Sequence, residues 1–98
     1  MPITITTDNN TTRIIIIDRF DYSIHTEFRS AYKDTPKNSE FIIDMRQASY
    51  MDSSALGMLL LLREHLGDGA SKISIIGCSP EIKKIFEISN FHALFNLS

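Results

Sequence analysis

Three observations predict an α/β fold with a mostly parallel sheet of four to five strands, an antiparallel edge strand and about three helices. First, isoleucine carries the β-branched load with fifteen copies and valine is absent. Second, the isoleucines cluster at Ile3/Ile5, 14–17, Ile42-Ile43 and Ile73/Ile75/Ile76, apart from the leucines of 56–66. β-Branched residues fit pleated strands and leucine fits helices, so the clusters mark different elements. Third, strands and helices then alternate along the chain, which argues for parallel strands joined by right-handed crossovers. With 98 residues and no repeat or linker, the chain reads as one domain over 1–98.

Residues 3–6 alternate Ile-Thr with period two, the pattern of a half-buried strand. Asp8-Asn9-Asn10 supplies turn residues that tolerate the left-handed region. Residues 13–18 form the second strand, and its four consecutive isoleucines predict burial on both faces. These two strands form a hairpin whose first strand lies at the sheet edge. Residues 23–33 show helical spacing, with Ile24, Phe28, Ala31 and Tyr32 on one side and Asp21 or Ser23 available as cap. A loop with Pro36 follows over 34–39, then a third strand over 40–45 and a connection over 46–52. Residues 53–66 form the second helix, stopped by Gly67-Asp68-Gly69. Residues 72–76 are the fourth strand. Pro80 opens a third helix that runs to Ile88 and breaks at Asn90, and 91–97 adds a short final strand.

Ten basic against twelve acidic residues give a net charge of −2 with no basic stripe, which argues against nucleic acid as a partner. The apolar run 57–62, even when Ala55-Leu56 are read into it, is far short of the roughly 20 residues of a membrane span. The beginning of the chain lacks the layout of a signal peptide, and one cysteine makes no internal disulfide, so the expected location is cytoplasmic. His25, His65, His92 and Cys78 stand at no metal-ligand spacing, and neither a phosphate loop nor a Gly-x-Ser-x-Gly elbow is present. No cofactor is implied. Cys78 stands just before a helix, where a thiol can be activated, but no histidine is placed beside it, and a small buried filler is the plainer reading. Asp18 and Asp21 read as turn and helix-entry residues, with partner contact a further option for Asp21.

The most informative stretch is Asp52-Ser53-Ser54-Ala55-Leu56-Gly57. It places two hydroxyls in the first turn of a helix at the carboxyl rim of a parallel sheet, where ligands and partners meet open α/β sheets. Amides there are unpaired and the macrodipole is positive, so a phosphoryl group on either serine sits in a favourable field. The same residues also serve simply to start a helix. Five apolar residues over 58–62 exceed what one buried helix face needs, leaving one or two for a partner.

Ile42-Ile43-Asp44-Met45 followed by Asp52-Ser53-Ser54-Ala55-Leu56-Gly57 resembles the signature of the STAS domains of bacterial anti-sigma factor antagonists. Phe20-Asp21 resembles the hydrophobic-Asp pair before the family's first helix, and 77–89 and 91–97 resemble its third-helix and closing regions. Two departures stand out. Asp18 and Arg19 occupy the neighbourhood where a Gly is usual, and Ala55 replaces the motif's Gly, adding a methyl near the serines. The resemblance implies a substrate and switch, not an enzyme. Ser53 is then the phosphoacceptor, Asp52 its helix cap, and Asp21, Met51, Asp52, Ser54 and Leu56 the partner contacts. The implied partners are a GHKL-type serine kinase that is usually an anti-sigma factor, bound by the unphosphorylated form and released on phosphorylation, and a PP2C-type phosphatase that resets the switch. The alternatives are a STAS subunit of a membrane lipid-transport ATPase, itself not inserted in the membrane, or a partner switch governing biofilm, motility or secretion without a sigma factor.

Overall fold

The computed structural model of the chain describes residues 3–35, 39–67, 73–91 and 95–97. Strand β1 (Ile3–Asp8) turns at Asn9, which takes φ 57, into β2 (Thr11–Phe20). A 3-10 turn (Tyr22–Ile24) then leads into α1 (His25–Tyr32). Next come β3 (Glu40–Met51), α2 (Ser53–His65), β4 (Ile73–Ile76), α3 (Pro80–Ile88) and the two-residue β5 (Asn96–Leu97). Among the described residues the sheet order is β1-β2-β3-β4-β5, with β1 antiparallel to β2 and every later pair parallel.

Right-handed crossovers that each step one strand in the same direction put their helices on one sheet face. Burial follows that rule. Ile14, Ile16, Phe41, Ile43, Ile73 and Ile75 are buried in one core with Phe28, Leu59, Leu62, Ile82 and Phe86 of the helices. The expectation that all four β2 isoleucines are buried on both faces is corrected here. Ile14 and Ile16 are buried, whereas Ile15 and Ile17 are half-buried on the face away from the helices.

The largest correction concerns β3. It does not end at Met45 but continues through the expected connection to Met51, pairing with β2 as far as Phe20↔Met51. The pairing shifts register twice, between Ile15 and Ile17 and between Asp18 and Arg19. Each shift is a bulge that breaks the period of two. Met45, Ala48 and Met51 are therefore buried at a spacing of three, a pattern that alternation does not detect.

Asp44 anchors the first bulge. Its side chain is 2% exposed, and it accepts hydrogen bonds from the Arg46 backbone N–H (3.0 Å), Arg46 Nη2 (2.7 Å) and Arg13 Nη2 (2.9 Å). The Arg46 guanidinium, seconded by its backbone N–H and by Arg13, holds the Asp44 carboxyl far below the usual carboxylate range. Gly77 makes room for this arrangement, because a Cβ there would lie 2.1 Å from Arg46 Cγ and its φ of +70 already favours glycine.

The first helix begins as the 3-10 turn rather than at Ser23, and the third matches its expected bounds. α2 stops one residue short of the expected Leu66, which caps it, and Gly67 follows at φ 74. The rest of the expected stop signal, Asp68 and Gly69, lies outside the described residues. So do Lys72 of the fourth strand, Pro36 of the loop and residues 92–94 of the closing segment.

Candidate functional site

Two adjacent parallel strands end in the same way. Phe20 and Met51 are in register as the last residues of β2 and β3, and both are buried. Each is followed by an aspartate in extended conformation that caps a helical turn. Asp21 Oδ1 accepts from the Ser23 backbone N–H at 3.0 Å and from its hydroxyl at 2.5 Å. Asp52 Oδ1 accepts from the Ser54 backbone N–H at 3.1 Å, its hydroxyl at 2.5 Å and the Ala55 backbone N–H at 3.4 Å. The segments Phe20-Asp21-Tyr22-Ser23-Ile24 and Met51-Asp52-Ser53-Ser54-Ala55 thus form two copies of one turn: apolar, Asp, variable, Ser, apolar. The last residue of each is buried, Ile24 at 2% and Ala55 at 0%.

The repeated geometry separates the two serines of the motif. Ser54 spends its hydroxyl proton on Asp52 and is half-buried. Ser53, the variable position, is exposed and its hydroxyl makes no hydrogen bond with a described residue. Of the two, Ser53 carries the accessible nucleophile. It is the first residue of a thirteen-residue helix, where the positive end of the macrodipole favours an added anion.

The surroundings are aromatic and mainly acidic. Tyr22, which occupies in the first turn the place Ser53 occupies in the second, is 63% exposed and stacks on His25 at 3.9 Å. His25 Nδ1 donates to the Tyr22 carbonyl at 2.8 Å. Arg19 lies over the Tyr50 ring at 4.2 Å and donates to Asp21 Oδ2 at 3.0 Å. The Ser23 hydroxyl, together with Arg19, holds the Asp21 carboxyl below its ordinary value. Asp18, in the left-handed region at φ 66, accepts from the Ser49 hydroxyl at 2.6 Å.

The sequence-predicted residues divide by exposure. Asp21 and Asp52 sit side by side as caps, and Ser53 stands at the surface. Met51 is buried at 5% and supports the rim from below, offering almost no surface. Leu56 is half-buried against the core, so only its outer part meets solvent. Ala55 is fully buried in the core, so its methyl adds nothing to the exposed surface around the serines. Within the apolar run of α2, Leu60 and Leu61 are the exposed pair, at 38% and 56%. Tyr22 and Tyr50 were not singled out from sequence. The signal for Tyr22 was the repeated apolar-Asp-x-Ser pattern, and for Tyr50 it was hidden by the unrecognised end of β3. Burial pushes the Cys78 thiol up to about 11, which removes the thiolate that a nucleophile needs.

Among the described residues no cluster of three His, Cys, Asp or Glu could hold a metal ion, and no helix is long and apolar enough to cross a membrane. Fold and rim together define a small α/β domain that presents a capped helix and a free serine beside the ends of two parallel strands. The chain belongs to the STAS domain family, whose model matches residues 4–98. It is 49% identical over 94 residues to a STAS-domain containing protein of Pseudomonas aeruginosa (strain UCBPP-PA14), covering 93% of this chain and 91% of that one. In fold it is similar to an anti-sigma factor antagonist from Mycobacterium paratuberculosis, with TM-score 0.80, 14% identity and coverage of 97% and 82% of the two chains. It is also similar to the anti-sigma factor antagonist SpoIIAA in its unphosphorylated form, with TM-score 0.73, 18% identity and coverage of 98% and 86%. The phosphorylated form of SpoIIAA matches at TM-score 0.68 and 20% identity, with coverage of 98% and 90%.

Proposed function

We propose that this chain is a phosphorylation-switched binding protein of the anti-sigma factor antagonist kind, with Ser53 as phosphoacceptor. The unphosphorylated rim binds a GHKL-type serine kinase that doubles as an anti-sigma factor. Phosphate on Ser53 releases that partner, and a PP2C-type phosphatase restores the binding form. The observation that carries this reading is the division of labour in the Asp52 cap: Ser54 is bonded to the cap while Ser53 is exposed and unbonded. Fold likeness to SpoIIAA, a protein solved in both phosphorylated and unphosphorylated forms, supports it.

The release step follows from surface chemistry. A phosphoryl group adds about −1.5 to −2 charges and a hydration shell at the centre of the contact. A partner packed over Ser53 then has to desolvate that group or leave. Asp52 belongs to the site as cap, and Asp21, Ser54 and Leu56 form its near surroundings.

The test is mass-spectrometric mapping of phosphate on protein from its own cell, with Ser53→Ala and Ser53→Asp variants. Ser53→Ala is expected to fold, bind the partner and take no phosphate from the cognate kinase. Phosphate on that variant would move the acceptor to Ser54 or elsewhere. Ser53→Asp is expected to weaken partner binding with little change in melting temperature, and unchanged affinity would sink the charge-based release.

A further inference from the structure

β1 lies at the edge of the sheet, with β2 on one side and no strand on the other among the described residues. Edge strands expose a row of unpaired N–H and C=O groups, and proteins usually blunt them with lysine, proline, bulges or a covering element. Within β1 none of these devices is present. Its register with β2 runs unbroken from Ile3↔Ile16 to Asp8↔Thr11, in contrast to the twice-shifted β2–β3 pairing. Residues Ile3, Thr4, Ile5, Thr6 and Thr7 are all β-branched and uncharged, and Pro2 stands ahead of the strand. Thr4 to Asp8 are exposed, and Ile5 shows 43% of its surface. The opposite edge, β5, is only two residues long.

We propose that β1 is the edge through which two copies of this chain pair antiparallel, giving a weak, concentration-dependent dimer with a continuous ten-stranded sheet. A two-fold axis perpendicular to the sheet keeps both helix layers on the same side, so odd-numbered residues must face odd-numbered ones. Centred on Ile5, the pairing sets Ile5 against Ile5 of the other copy, Thr4 against its Thr6 and Ile3 against its Thr7. At the three central positions Ile faces Ile and Thr faces Thr, and Thr-Thr pairs are among the cross-strand contacts that stabilise a sheet. The exposed part of Ile5 is covered by its own counterpart.

Charge does not oppose the pairing. The strand's one charged residue, Asp8, falls at its end, so the two Asp8 residues lie about 20 Å apart at roughly 3.3 Å per residue. That separation is about two Debye lengths at 0.1 M salt. A second copy suits this edge better than a foreign strand because the complementarity is self-directed. A six-residue edge lies below the roughly 1,000 Å² of a stable interface, which sets the expected affinity in the weak class. The inference does not rest on Ser53.

Sedimentation equilibrium of the full chain from about 10 μM to 1 mM tests it, the upper end reaching the millimolar range of weak complexes. The mean mass is expected to rise from 11.1 kDa towards twice that value with concentration. Ile5→Lys, and separately Thr4→Lys on the opposite face of the same strand, are expected to weaken association at least tenfold with unchanged circular dichroism. Hydrogen exchange on the unaltered chain gives a readout without any variant: β1 amides slow as concentration rises while β3 amides do not. A chain that stays monomeric at 1 mM overturns the proposal, and so does a dimer that persists equally in both lysine variants.

Discussion

Replacing Asp52 by Asn and by Ala separates its role as cap from its charge. Its Oδ1 accepts from two backbone amides, of Ser54 and Ala55, and from the Ser54 hydroxyl. Losing an N-cap side chain to alanine costs about 1 kcal/mol, within a range of roughly 0.5–2. Asparagine keeps an acceptor in the same place and ranks level with aspartate as a cap. It gives up the interaction with the helix dipole, about 0.3–1 kcal/mol. For a domain of this size, 1 kcal/mol moves the melting temperature by roughly 4–8 °C. Asp52→Ala is therefore expected to melt about 4–8 °C lower and Asp52→Asn to lose less than the alanine variant, followed by circular dichroism at 222 nm. The alanine variant also frees the Ser54 hydroxyl, so under the proposed function phosphate is expected on Ser54 as well as Ser53, and less so in the asparagine variant. Equal destabilisation by the two substitutions, or none by alanine, would refute the capping argument.

Two further predictions concern groups away from the rim. Asp44→Asn is expected to cost about 1–3 kcal/mol, near the lower end because Arg13 and Arg46 are 34% and 64% exposed and can rehydrate. Since the folded carboxyl titrates below its unfolded value, its stabilisation is complete above about pH 5 and is lost as pH falls below about 4. Urea titrations from pH 7 to 2 should show the wild-type advantage over Asp44→Asn shrinking across that window, and a constant gap would refute the linkage. Cys78, with its thiol raised to about 11, is expected to alkylate with iodoacetamide at neutral pH about two orders of magnitude more slowly than a free cysteine. Reaction at the free-thiol rate would reopen a nucleophilic role.

Element types were legible wherever one side of a segment met the core and the other met water. α3 is the clearest case: Pro80 at its first turn and Ile82 and Phe86 facing inward are all visible in the sequence. Legibility failed where tertiary pairing overrode local pattern. The second half of β3 carries Arg46, Gln47, Ser49 and Tyr50, a polar run that reads as a connection. It is held as strand by the bulged pairing with β2 and by buried Met45, Ala48 and Met51. β2 failed in the opposite sense. Four isoleucines in a row read as doubly buried, but a one-sided helix layer buries only alternate ones. The serine motif was legible as residue types. That the two serines differ was implied only by the family resemblance, because the physical difference lies in which hydroxyl reaches the Asp52 carboxylate.

That difference also bears on how the proposed switch would couple to the fold. Phosphate on Ser54 would break the bond its hydroxyl makes to Asp52 and set two anions on one cap, so it would act on the helix itself. Phosphate on Ser53 breaks no side-chain bond and adds its charge at the positive end of α2. On the proposed function the modified domain would keep its fold, while its net charge would move from −2 to about −4. The energetic consequence falls on whatever packs over the rim. Tyr22 belongs to that same surface, because the twin turn places it as the counterpart of Ser53 beside the neighbouring strand end. A partner seated over Ser53 would therefore also have to accommodate an aromatic ring already braced by His25, so the proposed phosphosite would lie next to a fixed aromatic platform.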